Sequence, residues 1–296
     1  YYALGKLELA EQEFLRTLGI YELSYGDEHP SVANSLNNLA VVYTKRGKLE
    51  QARDTHLRVI AIHKKSLGPD HPELANSWSN LGRVLRRLHD FEGAADYYKR
   101  AYERRREALG PEHSDTMTSL GGLALSQIDL GQREEGLANF EVVLSTQRRA
   151  LGDDHPVVAE VEHDLGVALT KLGELDQAQA ILRKSLATRE RVLSPDHGDI
   201  ATSLADLAHA LVEDGERREA RQLLDRFRAM EEAAEPSALE RAQVRLDLAK
   251  LLAAEGDKRE ALELARAGVE ILAKGAEGPN ARKLRRELSR WIEGDI

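Results

Sequence analysis

Five histidines, His29, His71, His113, His155 and His197, stand 42 positions apart, each near the start of a related stretch. The stretches read GDEHPSVANSLNNLA (26–40), GPDHPELANSWSNLG (68–82), GPEHSDTMTSLGGLA (110–124), GDDHPVVAEVEHDLG (152–166) and SPDHGDIATSLADLA (194–208). A fixed period of this length predicts an array of one supersecondary unit, each copy burying its apolar face on its neighbours. The 296-residue chain is therefore expected to form a single elongated array rather than two globular domains.

Residues 29–67 show what the unit is. Pro30 suits a first helical turn because it has no N–H to leave unpaired, and Asp27 and Glu28 lie near the positive end of the helix dipole. Val32, Leu36, Leu39, Ala40 and Tyr43 then recur at helical spacing until Gly47, which suits a left-handed helix stop. A second helix from about Leu49 to Leu67 carries Ala52, Val59 and Ile62 inward and ends in His63, Lys64 and Lys65 before Gly68-Pro69. Each unit reads as a helical hairpin, helix A then helix B.

The copies agree column by column. Leu39, Leu81, Leu123, Leu165 and Leu207 align, and the next position is always small: Ala40, Gly82, Ala124, Gly166, Ala208. The stop column is Gly5, Gly47, His89, Gly131, Gly173 and Gly215, and a second small column runs Ala10, Ala52, Ala94, Gly136, Ala178, Ala220. Small residues at fixed points let helices approach at the near end of the ~8–10 Å packing range. A sixth hairpin matches through Leu248, Ala249, Gly256 and Ala261 with a slip of one residue and no His-Pro lead. In 278–292, Ala281, Leu284, Leu288 and Trp291 form one stripe with arginines opposite, as a capping helix requires.

The Gly-x-x-His-Pro turn and Leu-Asn-Asn-Leu-Ala-like helix resemble the tetratricopeptide repeat, in the long 42-residue form of kinesin light chains and bacterial signalling proteins. The likeness covers nearly the whole chain. Ser114 and Gly198 depart from it in place of proline, and Ser194 in place of glycine. It implies an all-α fold, a right-handed α-solenoid with a C-terminal cap. The expected division is a truncated first repeat (1–28) and repeats at 29–70, 71–112, 113–154, 155–196 and 197–236. A divergent repeat (237–275) and a capping helix (278–293) complete it. Tyr1 aligns with Tyr43, which reads as the last turn of a helix A cut from a longer protein. The first helix, about 6–25, is then expected to self-associate through Phe14 and Leu18.

Composition narrows the function. A net charge of −9 opposes binding to nucleic acid or anionic membranes, and the absence of cysteine removes disulfides and thiolate metal sites. No apolar run reaches the ~18 residues of a membrane span, and no signal peptide is visible. No phosphate-binding glycine loop, HExxH or Gly-x-Ser-x-Gly motif occurs, so no enzyme, cofactor or metal is expected. A cytoplasmic location fits. Histidines 42 residues apart cannot share a zinc ion, and each is expected to satisfy backbone groups at a helix start. The clusters Arg104-Arg105-Arg106 and Arg148-Arg149 read as last-turn cations facing the helix dipole.

Asparagine is the remaining signal, since inside a helix it costs several tenths of a kcal/mol, about 0.5, against alanine. The resemblance places peptide-contacting positions on helix A: Asn34, Asn37, Asn38 and Val41, then Asn76, Ser79, Asn80 and Arg83. The fourth copy gives Glu160, His163, Asp164 and Val167. Arg83, Arg86 and Arg87 would make one end basic, while Glu160, Asp164 and Asp206 make the other acidic. The expected partner is a protein or an extended peptide. The alternative is a regulatory, oligomerising arm of a larger enzyme, such as a bacterial serine/threonine kinase or a STAND-type ATPase.

Overall fold

The computed structural model describes residues 7–69, 71–234, 236–276 and 278–294. Tyr1 and Gly5, which the repeat columns include, lie outside the described residues. Among those described there are fourteen α-helices and no strand. α1 (Leu7–Tyr25) precedes the hairpins α2 (Pro30–Lys45) and α3 (Leu49–Leu67), α4 (Leu74–Arg87) and α5 (Phe91–Leu109), and α6 (Ser114–Asp129) and α7 (Arg133–Leu151). Then come α8 (Pro156–Lys171) and α9 (Leu175–Val192), α10 (Gly198–Asp214) and α11 (Arg217–Ala234), and α12 (Ala238–Glu255) and α13 (Lys258–Gly275). α14 (Pro279–Glu293) closes the series.

The ladder histidines begin the A helices. At His29, His113, His155 and His197 the side chain caps the helix, Nδ1 accepting from the backbone N–H two residues on at 3.1–3.2 Å. His71 Nδ1 accepts from Glu73 N–H at 3.3 Å. An Nδ1 acceptor satisfies an orphan donor of the first turn as a Ser or Asp cap would. The divergent hairpin has a different start: Ser237 and Glu240 form a reciprocal capping box. At the far end of α2, Lys48 N–H donates to Tyr43 O at 2.9 Å and Gly47 takes φ +75°, a left-handed stop. His89 holds the same place at φ +64° and is the one positive-φ residue other than glycine among those described.

Contacts divide the chain into two compact units, Tyr1–Val143 with Glu277–Pro279, and Leu144–Ala276 with Asn280–Ile296, the boundary falling inside α7. In the first unit Val32, Leu36, Leu39 and Tyr43 of α2 pack with Ala52, Val59 and Ile62 of α3, and Leu18 of α1 joins them. A second cluster sets Leu74, Trp78, Leu81 and Leu85 of α4 against Ala94, Tyr98 and Ala101 of α5. The small columns are contact points. A Cβ on Gly82 would lie 3.0 Å from the Tyr98 ring, and one on Gly122 of α6 only 2.2 Å from it. The ring of Tyr98 therefore occupies a slot that two different A helices leave open.

In the second unit Ile200, Leu204, Leu207 and Leu211 of α10 pack with Leu224 and Phe227 of α11 and Leu248 of α12. Each such side chain, fully buried, contributes roughly 1.5–3 kcal/mol. Gly166 of α8 meets α9 closely: a Cβ there would be 2.5 Å from Leu182. Ala281, Leu284 and Leu288 of α14 cover Ala242, Leu246, Ala265 and Leu272, which gives the final hairpin its lid. On α1, Leu18 is buried and Phe14 packs against the α2 cluster, because both face α2. The exposed apolar groups of that helix are instead Leu9, Leu15, Ile20, Leu23 and Tyr25.

One polar contact recurs within each unit. The B-helix residues His63, Arg105, Arg189 and Glu231 each reach the residue fourteen positions on, in the next A helix. His63 Nδ1 lies 3.2 Å from Ser77 Oγ, and Glu231 Oε2 lies 2.8 Å from Arg245 Nη2. Arg105 donates to Ser119 Oγ at 2.7 Å, and Arg189 to Ser203 Oγ at 2.6 Å. Arg105 is thus buried, and of Arg104-Arg105-Arg106 only Arg106 lies in the last turn.

Candidate functional site

On the A helices of the first unit the asparagines divide into two groups. Asn34 and Asn38 are exposed, one turn apart on α2, and neither has a side-chain partner among the described residues. Asn37 is half-buried beside them, its Oδ1 without a partner. On α4 the amide oxygens are engaged. Asn76 Oδ1 accepts from Arg105 Nη2 at 2.6 Å, and Asn80 Oδ1 accepts from Arg83 Nη2 at 2.5 Å. The arginines read as a basic stretch are also tied down: Arg86 Nε donates to Asp129 Oδ2 at 2.5 Å, and Arg87 Nη1 to the Thr44 carbonyl at 2.9 Å. Arg86 and Arg87 thereby stitch α4 to its A-helix neighbours on either side, while Arg83 stays exposed.

The organiser of this face is Arg105. Its guanidinium reaches Asn76, Ser79, Ser119 and the Asp115 carbonyl, joining α4, α5 and α6. Burial pulls its pKa below the ordinary guanidinium value and Asp115 opposes the shift. Repeat alignment carried a signal for it, because its column is polar in every copy: His63, Arg105, Gln147, Arg189, Glu231. A column that never turns apolar in a core-forming helix marks a buried polar network.

On the second unit Glu160 is exposed on α8, with His163 and Asp164 one turn on. His163 is buried, its Nε2 2.9 Å from Asp206 Oδ2 of α10 in an off-axis ion pair and its Nδ1 3.9 Å from Asp164 Oδ1. Burial alone would push this imidazole down, but Asp164 and Asp206 outweigh it and, against Arg189, hold the pKa up at about 9. A second pair that the sequence reading did not find repeats the arrangement. His209 Nδ1 of α10 lies 3.2 Å from Asp247 Oδ2 of α12, and Asp247 is fully buried. Burial again opposes the charge, and Asp247 with Glu213 raises the His209 pKa despite Lys250. So Asp206 and Asp164 are partners of a buried imidazolium as well as surface carboxylates.

Among the described residues no group of three His, Asp or Glu side chains is arranged to hold a metal ion. No helix among them is long and apolar enough to cross a membrane.

The family model described as tetratricopeptide repeat matches residues 1–65, 32–107, 115–190 and 158–230, and related models of the same description match 79–140 and 242–267. Among solved structures, the chain is 28% identical to a Podosopora anserina putative kinesin light chain with nearly identical TPR-like repeats. That match covers 69% of this chain and 96% of that one at a TM-score of 0.52. BtubC (BKLC) from P. vanneervenii is 22% identical over 77% of this chain and 92% of that one, with a TM-score of 0.58. The Rap conjugation gene regulator of plasmid pLS20, solved with the Phr* peptide, is 11% identical over 88% and 74%, with a TM-score of 0.63. No curated protein sequence matches the chain.

Proposed function

The chain belongs to the tetratricopeptide-repeat family of protein-interaction scaffolds, and from that premise we propose that the exposed A-helix faces hold an extended partner segment. The observation that carries the reading is the pair Asn34 and Asn38, two solvent-facing amides that no group among the described residues uses. Each amide offers a donor and an acceptor, so together they can pair with a partner's backbone regardless of its side chains. Arg83, exposed on the next A helix, adds charge selectivity. The peptide seated in the distant plasmid-encoded Rap regulator supports a segment of this kind. The A-helix face of the second unit, with Glu160 and Asp164, would by itself favour basic side chains.

A peptide array read with wild type and with Asn34→Ala/Asn38→Ala tests the proposal. Hits should weaken in the double variant, while its thermal midpoint holds or rises because alanine is the better helix former. Undiminished affinity would mean that the amides are not recognition groups. Asn76→Ala serves as the contrast: it should lower stability, since its amide oxygen completes the Arg105 network.

A further inference from the structure

The outward face of α14 carries Arg282, Arg286 and Arg290 on one ridge at i, i+4 and i+8, with Arg285 on the next ridge. The buried stripe Ala281, Leu284 and Leu288 fixes which way this ridge points. Arg282, Arg285, Arg286, Ser289, Arg290 and Glu293 line a shallow depression of about 570 Å³. None of the four arginines has a carboxylate partner among the described residues; Arg286 Nε only donates to the Arg282 carbonyl at 3.4 Å. Arg285 Nε is buried with no partner at all. Glu287 turns instead to Lys250 at 3.6 Å, and Glu293, at the rim of the depression, forms no ion pair with these arginines among the described residues.

Within the chain this arrangement is unfavourable twice over. Like charges at i, i+4 repel, and α14 has no acid in its first turn, where Arg282 and Lys283 sit near the positive end of the dipole. Among the described residues no ion pair offsets either cost. We propose that the α14 ridge is a docking surface for an acidic α-helix of a partner protein, with carboxylates at i, i+4 and i+8. Four helical residues rise about 6 Å, so carboxylates on such a helix keep step with the guanidinium groups along the ridge. Guanidinium groups bind carboxylates through paired, directional hydrogen bonds, which explains arginine where lysine would suffice for charge alone. Nucleic acid and anionic membranes fit less well. Either would run beyond a ridge about 12 Å long and meet a chain of net charge −9.

The test uses the full chain and a fluorescein-labelled alanine-based helical peptide with three glutamates at i, i+4 and i+8, read by anisotropy. Its glutamine twin, a short DNA duplex and phosphatidylserine vesicles are the comparison ligands. Wild type should bind the glutamate helix in preference to all three, with affinity falling as salt rises. Arg282→Gln/Arg286→Gln/Arg290→Gln should lose at least about tenfold, with a thermal midpoint unchanged or higher because the repulsion is gone. The corresponding triple lysine variant should bind at an intermediate level. Equal binding of the glutamate and glutamine helices, or full binding by the triple glutamine variant, would overturn the proposal. So would tighter binding of DNA or vesicles through the same arginines.

Discussion

The two units bury imidazoles in opposite charge states. In the first, His56 is 2% exposed with Nδ1 unpartnered, and burial, reinforced by Arg83, pushes its pKa down to about 4. His63 is pushed down by burial too. In the second, His163 is buried and His209 half-buried, yet carboxylates on the next A helix, Asp206 and Asp247, raise both. The columns explain the difference. His56 stands in a column otherwise filled by Tyr98, Phe140, Leu182 and Leu224, which points into the A–B core where no acid can follow. His163 and His209 lie where A helix meets A helix, and Asp206 and Asp247 fall opposite them. One repeat geometry thus accepts either protonation state, according to which neighbouring column faces the ring.

The largest expected effects separate the units by pH. The folded pKa of His56 lies below the unfolded value of 6.5, so keeping the ring neutral costs the fold stability only in acid, where the unfolded chain binds the proton. Stability is complete above 6.5 and falls by about 3 kcal/mol as pH drops to about 4. His56→Leu, matching Leu182 and Leu224, should abolish that loss and leave the alkaline limb untouched. His163 has the opposite sign: its folded pKa lies above 6.5, so its contribution is full below 6.5 and disappears as pH rises through about 9. His163→Gln should therefore cost about 3 kcal/mol at mildly acid pH and little above 9. Denaturant midpoints across this range, with segment-resolved hydrogen exchange to assign the unit, check both. Parallel pH profiles for the two variants would break the comparison.

Overpacking comes next. Gly166→Leu and Gly82→Leu should each cost ~1–3 kcal/mol, the former more. A Cβ at 166 would already be 2.5 Å from Leu182, against 3.0 Å from the flat Tyr98 ring at 82. Equal thermal midpoints would mean that the first unit's slot is no roomier than the second's. The smallest effect should be shared. His113→Ala and His197→Ala each remove a cap from a helix that lacks the following proline, and each should cost ~1 kcal/mol. A clear difference between them, read from urea midpoints, would show that the caps are not equivalent across units.

The sequence and the structure meet where information is local or strictly periodic. The five-histidine column was readable as helix starts, and Gly82 and Gly166 as contact points, because caps and small columns depend on positions within one hairpin. Arg105 escaped a reading made along the chain: a place near the helix end suits a solvated cation, and it is Asn76, Ser79, Ser119 and the Asp115 carbonyl, on two other helices, that take it inside. His163 was grouped with Glu160 and Asp164 on its own helix, whereas Asp206, 43 residues away, completes its ion pair. That offset follows from how A helices stack, which spacing within a helix does not specify. Asn76 and Asn80 looked equivalent to Asn34 and Asn38 by column, yet Arg105 and Arg83 engage them.

Tyr98 has a consequence for how such a chain can have grown. Its ring fills space vacated by Gly82 in its own hairpin and by Gly122 in the following one. A duplication that copied 71–112 alone would set the new ring against whatever residue the next copy carries in the Gly122 column. Elsewhere in that column stand Asn38, Asn80, Asp164 and Asp206, each with the Cβ that at 122 would lie 2.2 Å from the Tyr98 ring. Copying 71–112 alone, or losing 113–154 alone, therefore removes the glycine that Tyr98 requires. Any relative that gains or loses one of them should change the tyrosine or the glycine in the same lineage.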